Sequence, residues 1–243
     1  MRLLFIRHGD PDYVKDSLTD KGFREAELLA ERLVNEKIDY YYVSPLGRAK
    51  DTAKFTLDIK GEQATECAWL REFEAPIWRP DVQDKRMIMW DWLPQDRCNH
   101  EEFFSYDKWA TNPILQEAKA YEEYKRVTSE FDKLLENHGY VRDGHYYKAV
   151  KANNDTIAFF CHYGVTCILL SHLLSVSPMV FLHGLCAAPS SVTSVLTEER
   201  RKGIASFRMN SYGDVSHLTI AGEEPSEAAR FCECYENEWQ RHD

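Results

Sequence analysis

Short apolar runs that stop abruptly at charged or polar residues recur along this chain. LLFIRHG at residues 3–9 passes from four apolar side chains to an arginine, a histidine and a glycine. A continuous apolar run of this length, bounded by a turn former, indicates a buried β-strand rather than a helix. IDYYYVS at 38–44, ATECAWL at 64–70 and DTIAFFCHYG at 155–164 repeat the pattern. We therefore predict four buried strands that end in polar chemistry.

Helical patterns separate these strands. After Thr19, residues 23–33 repeat apolar side chains every three or four positions, and residues 46–56 also have a helical pattern. Residues 165–176, VTCILLSHLLSV, predict a buried helix. Alternating strands and helices imply right-handed crossovers and a parallel sheet. We expect an α/β fold, a three-layer sandwich with a mostly parallel sheet flanked by helices.

The C-terminal part continues with two more predicted strands. They are SSVTSVLTEE at 190–199 and GIASFRMNSYGD at 203–214, separated by a charged turn and placed at the sheet edge. The polar segment from Ser226 onward predicts a solvated closing helix.

Residues 75–150 interrupt the alternation. This stretch contains four tryptophans, several proline-containing turns and one long helical pattern, with no strand signal of weight. We therefore predict a helical insertion above the sheet that forms a cap over a pocket. Packing between insertion and sheet is the favoured role of its aromatic residues, ahead of direct ligand contact.

Composition limits the classes of function. The chain has 243 residues, 44% hydrophobic and 29% charged, enough for one sizeable core. A formal charge of −10 argues against nucleic acids and anionic membranes as partners, and no segment is long enough to span a bilayer. Seven irregularly spaced cysteines indicate no disulfide framework and favour a reducing, cytoplasmic compartment.

Ligands of open parallel sheets bind beyond the carboxyl ends of the strands. The residues that arrive there are Arg7 and His8, then Ser44 with Arg48, then Glu72, then His162, and two imidazoles, two guanidinium groups and one carboxylate would converge. Arginine presents a planar fork of donors that matches phosphate oxygens, so phosphate is the expected ligand. Histidine and carboxylate also bind zinc, but the spacing typical of zinc sites is absent and nearby arginines would repel the ion. We expect no metal and no cofactor.

Each of the five side chains suits a separate chemical role. His8 can act as a nucleophile because neighbouring cations favour its neutral form. His162 can donate to phosphoryl oxygens, and Glu72 can protonate the leaving alcohol and later activate water. Glu74 is the alternative proton donor, because strand alternation places it on the same side as Glu72.

Four ordered motifs carry a resemblance to a known family. They are RHG at 7–9, SPLGRAKDTA at 44–53, LRE at 70–72 and CHYG at 161–164. In this order they resemble the histidine phosphatase superfamily, which includes phosphoglycerate-mutase-like enzymes. The resemblance covers nearly the whole chain except residues 75–150, the part that varies in that family and shapes substrate choice.

The resemblance implies one histidine-phosphatase-like domain over residues 1–243, with 75–150 as a cap within it. It implies a phosphatase that hydrolyses a small-molecule phosphomonoester through phosphorylated His8. Phosphate would be bound by Arg7, Arg48 and His162, and Glu72 would be the proton donor.

Three further residues are candidate substrate contacts: Thr19, Tyr163 and His183. The family commonly has glycine directly after its second histidine, whereas here Tyr163 follows and Gly164 comes one position later.

Two other functions stay open. A phosphoglycerate mutase would use the same site, although DPDYVKD at 10–16 differs from the mutase loop and so favours hydrolysis. A non-catalytic module that binds a phosphorylated ligand would need neither a nucleophile nor a proton donor. The expected partner is a small phosphorylated molecule, and a homo-oligomer is one of the assembly states that the sequence allows.

Overall fold

The structure, a computed structural model, describes residues 1–82 and 84–226. The strands are β1 (Arg2–Arg7), β2 (Pro11–Asp12), β3 (Ser17–Leu18), β4 (Tyr40–Val43), β5 (Thr65–Glu66), β6 (Tyr140–Asp143), β7 (Tyr146–Ala149), β8 (Thr156–Cys161), β9 (Val192–Arg201) and β10 (Ile204–Asp214). The helices are α1 (Asp20–Leu33), α2 (Gly47–Lys60), α3 (Pro94–Arg97), α4 (Pro113–Glu117), α5 (Ala120–Asn137), α6 (Tyr163–Leu174), α7 (Pro178–Gly184) and α8 (Ser216–Ala221). The predicted closing helix after Ser226 lies outside the described residues.

Eight of these strands form one sheet in the order β5-β4-β8-β1-β9-β10-β7-β6. The four strands from β5 to β1 are parallel, and the pairs from β1 onward are antiparallel. This arrangement confirms the α/β class. In the parallel half, Arg7 pairs with Cys161, so the ends of β1 and β8 lie side by side.

Side-chain alternation along β1 explains the three layers. Leu4 and Ile6 point into a core shared with helices α1 and α2, whereas Leu3 and Phe5 point into the core on the opposite face. Helix α6 lies in that second core and is buried from Tyr163 to Leu173 on all sides, as its unbroken apolar sequence predicts.

Part of the predicted insertion belongs to the sheet. The expectation that residues 75–150 contain no strand is wrong for β6 and β7, which form a hairpin and extend the sheet from β10. Its turn contains Gly144 at φ 61°, a left-handed conformation that glycine adopts without strain. The predicted edge position of the two C-terminal strands is also wrong, because β9 pairs with β1 in the sheet interior.

The strand predicted over residues 64–70 is shorter than expected. Only Thr65–Glu66 pairs with β4, and the chain then makes a 3-10 turn over Ala68–Leu70. The turn buries Trp69 and Leu70 in the core, which an extended strand would leave on opposite faces.

The rest of the insertion packs as the composition predicts. Trp92 and Trp109 are buried, and Phe131 of α5 packs against Phe5 of β1 with ring centroids 6.2 Å apart. None of the helices in the described part of the chain has the length and apolar character needed to cross a bilayer.

Candidate active site

The parallel pairing of β1 with β8 brings two histidines together. His8 follows β1 and His162 follows β8, and their ring centroids are 5.1 Å apart with the planes tilted by 57°. Both imidazoles are buried. The two strand ends therefore produce the convergence that the sequence predicts.

The backbone around Gly9 sets which nitrogen of His8 can react. His8 Nδ1 lies 2.7 Å from the carbonyl oxygen of Gly9, so Nδ1 carries the proton and donates it there. The lone pair is then on Nε2, the nitrogen available for attack. A side chain at Gly9 would not fit, because a Cβ would lie 2.6 Å from the carbonyl oxygen of Gly22.

Burial and charge keep His8 neutral. Desolvation, followed by the positive charge of Arg7, lowers the pKa of His8 to about 3. A neutral imidazole is the form that can attack phosphorus.

Ser44 orients the second imidazole. Its Oγ lies 2.7 Å from His162 Nε2 and accepts the N–H of Leu46 at 3.3 Å, which leaves the serine proton for Nε2. This assignment places the histidine proton on Nδ1. That buried Nδ1 has no hydrogen-bond partner among residues 1–82 and 84–226. Burial, followed by electrostatic coupling to His8 and the charge of Arg48, lowers the pKa of His162 well below its ordinary value.

Two buried arginines flank the imidazoles. Arg7 Nη1 donates to the carbonyl oxygen of Ala187 at 2.5 Å. Arg48 Nη1 donates to Asp16 at 2.6 Å, and the same carboxylate accepts the backbone N–H of Gly47 at 2.7 Å. The Nε atom of Arg48 is buried without a hydrogen-bond partner in the described part of the chain. The site thus holds unsatisfied donors beside positive charge, which suits a bound anion.

The carboxyl group of Glu72 lies at the beginning of helix α6. Its Oε1 accepts the backbone N–H groups of Phe73 at 2.8 Å and Val165 at 3.0 Å. Burial raises the pKa of Glu72, and these N–H groups partly oppose the change. Glu74 is exposed and pairs with Arg71 at 2.9 Å. The structure therefore brings Glu72, rather than Glu74, to the site.

Gly164 explains the departure from the family pattern. A Cβ at this position would lie 2.6 Å from Trp90 Cη2 and 2.7 Å from Glu72 Oε1. Only glycine lets the carboxyl group and the indole approach the same turn of α6.

The three candidate substrate contacts have other partners. The Thr19 hydroxyl caps helix α1 by accepting the Gly22 N–H, and it donates to Asp10 at 2.7 Å. The Tyr163 hydroxyl donates to carbonyl oxygens of helix α7 and the residue after it. His183 lies in α7, on the wall of a separate cavity, with Nδ1 2.8 Å from the Met179 carbonyl oxygen.

Sequence reasoning missed several residues that hold the site. Thr52 lies in the SPLGRAKDTA motif, and its Oγ1 accepts the N–H of Gly9 at 3.0 Å. Ser44 of the same motif was predicted to arrive at this edge of the sheet, but without a role. Asp16 and Trp90 carry no motif that would have identified them. In the part of the chain that the structure describes, no group of three histidine, cysteine, aspartate or glutamate side chains is placed to hold a metal.

A family model for the histidine phosphatase superfamily, branch 1, matches residues 3–210. The chain belongs to this superfamily. Its membership confirms the prediction that the protein is an enzyme of the histidine phosphatase class.

Individual relatives agree with this assignment. A protein of Hydrogenobacter thermophilus named "Putative phosphoserine phosphatase 2" is 29% identical over 150 residues, which cover 56% of this chain and 68% of that protein.

Solved structures share the fold. A mutant phosphoserine phosphatase from Entamoeba histolytica, in complex with phosphoserine, matches with a TM-score of 0.61 at 18% identity, covering 89% of this chain and 98% of that one. A mycobacterial glucosyl-3-phosphoglycerate phosphatase matches with a TM-score of 0.57 at 18% identity, covering 87% and 98%. At this identity the match concerns the fold alone.

Proposed function

We propose that this protein hydrolyses a small-molecule phosphomonoester in two steps, through a phosphohistidine on His8. The observation that carries the proposal is the pairing of two buried imidazoles, 5.1 Å apart, in which His8 keeps Nε2 free of its backbone hydrogen bond. Arg7 and Arg48 provide the positive charge that a phosphoryl group needs.

In the first step, His8 Nε2 attacks phosphorus while the bond between phosphorus and the leaving oxygen breaks. Glu72 gives a proton to that oxygen, and burial, which raises its pKa, favours the protonated form that this step needs. His162 donates from Nδ1 to a phosphoryl oxygen. In the second step, Glu72 takes a proton from water, the water oxygen bonds to phosphorus, and the N–P bond breaks to restore neutral His8.

Replacement of the nucleophile tests this mechanism. We expect His8→Ala to lower kcat for 4-nitrophenyl phosphate and phosphoserine by at least about 10,000-fold. Phosphoserine belongs in the test because the Hydrogenobacter relative is named for it. The matched control is His145→Ala, which removes an exposed histidine from the β6–β7 turn. Activity of His8→Ala near that of the control would refute the proposal.

Rapid quenching with ³²P-labelled substrate tests the intermediate directly. Wild-type enzyme should carry label that is stable in alkali and lost in acid, and His8→Ala should carry none. Label on a different residue would contradict the mechanism. Incubation with 3-phosphoglycerate and a bisphosphate primer separates the mutase alternative, which requires isomerisation faster than phosphate release.

Glu72 and Glu74 are the two candidate proton donors, so variants of each can be compared directly. We expect Glu72→Gln to lower kcat about 100-fold or more for phosphoserine, whose alkoxide leaves poorly without a proton. The loss should be smaller for 4-nitrophenyl phosphate, whose phenolate leaves readily. Glu74→Gln removes only an exposed ion pair with Arg71 and should stay near wild type. Equal losses in both variants would argue against Glu72 as the donor.

A further inference from the structure

A separate cavity lies between the insertion and the end of helix α7. Its volume is about 350 Å³, the size of a small ring with one substituent rather than a large cofactor. The wall residues that carry the argument are Trp90, Trp92, Arg97, His183 and Leu185.

The cavity adjoins the proton donor. Trp90 lines the cavity and also lies against Gly164, at the point where a Cβ would approach Glu72 Oε1 to 2.7 Å. On the other side, Leu185 lies two positions before Ala187, whose carbonyl oxygen accepts a hydrogen bond from Arg7. Glu72 protonates the leaving oxygen in the proposed mechanism, so we place the leaving group on the side of Glu72 where Trp90 and the cavity lie.

The cavity wall carries one arginine, Arg97, that has no carboxylate partner in the described part of the chain. Arg97 forms no ion pair with any residue of 1–82 or 84–226, and its guanidinium stacks 5.7 Å from the ring of Phe104. Asp91 also lines the cavity and pairs at 3.2 Å with buried Arg79, which it shares with Asp81. His183 adds no charge at neutral pH, because burial lowers its pKa to about 4.

The chemistry of the wall therefore combines aromatic surface with a free guanidinium. Two indoles favour a flat apolar group, and the planar fork of arginine favours a carboxylate over a neutral amide. Leu185 adds to the apolar surface. A leaving group with these two features would fit the cavity and give Arg97 a carboxylate partner.

We propose that this cavity binds the leaving group of the substrate, and that the leaving group is a small apolar or aromatic unit bearing a carboxylate that Arg97 binds. The inference rests on the proposed function, because it assigns the leaving-group side of that reaction. It names a substrate class, phosphorylated hydroxy-carboxylates with an apolar or aromatic body.

Synthetic substrates that differ only in a carboxylate or a neutral amide test the role of Arg97. The compounds are 4-carboxyphenyl phosphate and 4-carbamoylphenyl phosphate, which have the same ring and nearly the same size, together with their 3-substituted isomers. We expect wild-type kcat/KM to be at least about tenfold higher for the carboxylate of one isomer pair. Arg97→Gln should lower this preference to about one, and Arg97→Lys should retain part of it.

The chain offers a matched control in the same insertion. Arg86 also stacks on an aromatic ring, 5.4 Å from Trp78, but it does not line the cavity. Arg86→Gln should therefore keep the wild-type preference for the carboxylate. Loss of the preference in Arg86→Gln as well would overturn the assignment to Arg97.

Binding without turnover separates this inference from the proposed function. Calorimetry with His8→Ala gives Kd for the same four phosphates, and we expect tighter binding of the carboxylate that wild type prefers. Equal Kd values within each pair, or a preference that survives Arg97→Gln, would overturn the inference and leave the phosphatase mechanism standing. Selective binding without any hydrolysis by wild type would instead refute the proposed function alone.

Discussion

The catalytic corner, formed by Arg7, His8, Arg48, Glu72 and His162, and the insertion both bury arginine, but they compensate its charge differently. Arg79 of the insertion is 2% exposed and lies between two carboxylates, Asp81 at 2.6 Å and Asp91 at 3.2 Å. Arg48 of the corner is 9% exposed and has one carboxylate partner, Asp16, while its Nε has no partner in the described part of the chain.

This difference is the one expected between an arginine that stabilises the fold and an arginine that binds phosphate, the role proposed for Arg48. A buried charge is costly unless it is paired and hydrogen-bonded. The insertion meets that requirement with its own carboxylates, so Arg79 stabilises the local fold. The corner meets it only in part, and the remaining positive potential favours a phosphoryl group. Burial of arginine alone would not distinguish the two.

The largest effect should come from Arg48→Ala. We expect kcat/KM for phosphoserine to fall about 100-fold to 1,000-fold, because a donor to the charged transition state is lost. The free energy of unfolding in urea should change by less than about 1 kcal/mol, since Arg48 has one partly exposed partner. A large loss of stability with nearly intact kcat/KM would reverse the distinction drawn above.

Arg79→Ala should show the opposite pattern. Removing one member of a buried ion pair is strongly destabilising, and the partial exposure of Asp81 and Asp91 favours a value of about 3 kcal/mol. Urea unfolding measures this loss, and kcat for 4-nitrophenyl phosphate in the folded fraction should fall far less than in Arg48→Ala. A stability change under about 1 kcal/mol would mean that the carboxylates do not depend on Arg79.

A fall in pH should lower the free energy of unfolding through His8. Above about pH 6.5 the imidazole is neutral in both folded and unfolded chains, so its contribution to stability is fully present. As pH falls toward 3, the unfolded chain binds a proton that folded His8, with its pKa lowered to about 3, does not bind. The cost is about 1.4 kcal/mol per pH unit below 6.5, or about 2 kcal/mol at pH 5.

The measurement compares wild type with His8→Gln in urea at pH 7 and pH 5. Wild type should lose about 2 kcal/mol more than the variant between these two values. His145→Gln, at an exposed position, should lose as much as wild type. The same loss in all three proteins would contradict the lowered pKa of His8.

Ser44→Ala should have the smallest of these effects. Loss of one hydrogen bond to His162 should lower kcat about tenfold, or about 1.4 kcal/mol. Ring ¹⁵N shifts should show His162 changing from the Nδ1–H form to a mixture of tautomers, which a merely structural role would not produce. Ser175→Ala is the control, because Ser175 bonds exposed His145 instead. An unchanged tautomer would refute the orienting role.

The corner was predictable because its residues are encoded locally at strand ends. Short apolar runs predict β1 and β8, and parallel pairing of Arg7 with Cys161 then brings the two histidines together without further information. The role of Ser44 was within reach, since it belongs to the same motif as Arg48. Its hydrogen bond to His162 depends on the register between β4 and β8, which sequence alone does not specify.

Two other features were harder to predict, one because a neighbouring sequence pattern obscures it and one because it depends on residues far apart in the sequence. The β6–β7 hairpin carries a turn signal in Asp143 and Gly144 between two runs that contain tyrosine. The long helical pattern just before it favours a helical assignment for the whole insertion, so the two short strands are easily overlooked. In contrast, the contact between Trp90 and Gly164 depends on the path of the whole insertion, and no local pattern reports such a contact.

Asp16 has a consequence for the catalytic cycle. Its carboxylate already accepts hydrogen bonds from Arg48 and from the Gly47 N–H, and the ring of Tyr13 lies 5.4 Å from the Arg48 guanidinium. A phosphate arriving at Arg48 must therefore share or displace a resident anion, and the same anion returns when inorganic phosphate departs. We expect this exchange to weaken product inhibition, so that the enzyme gives up some affinity in return for rapid clearance of its site.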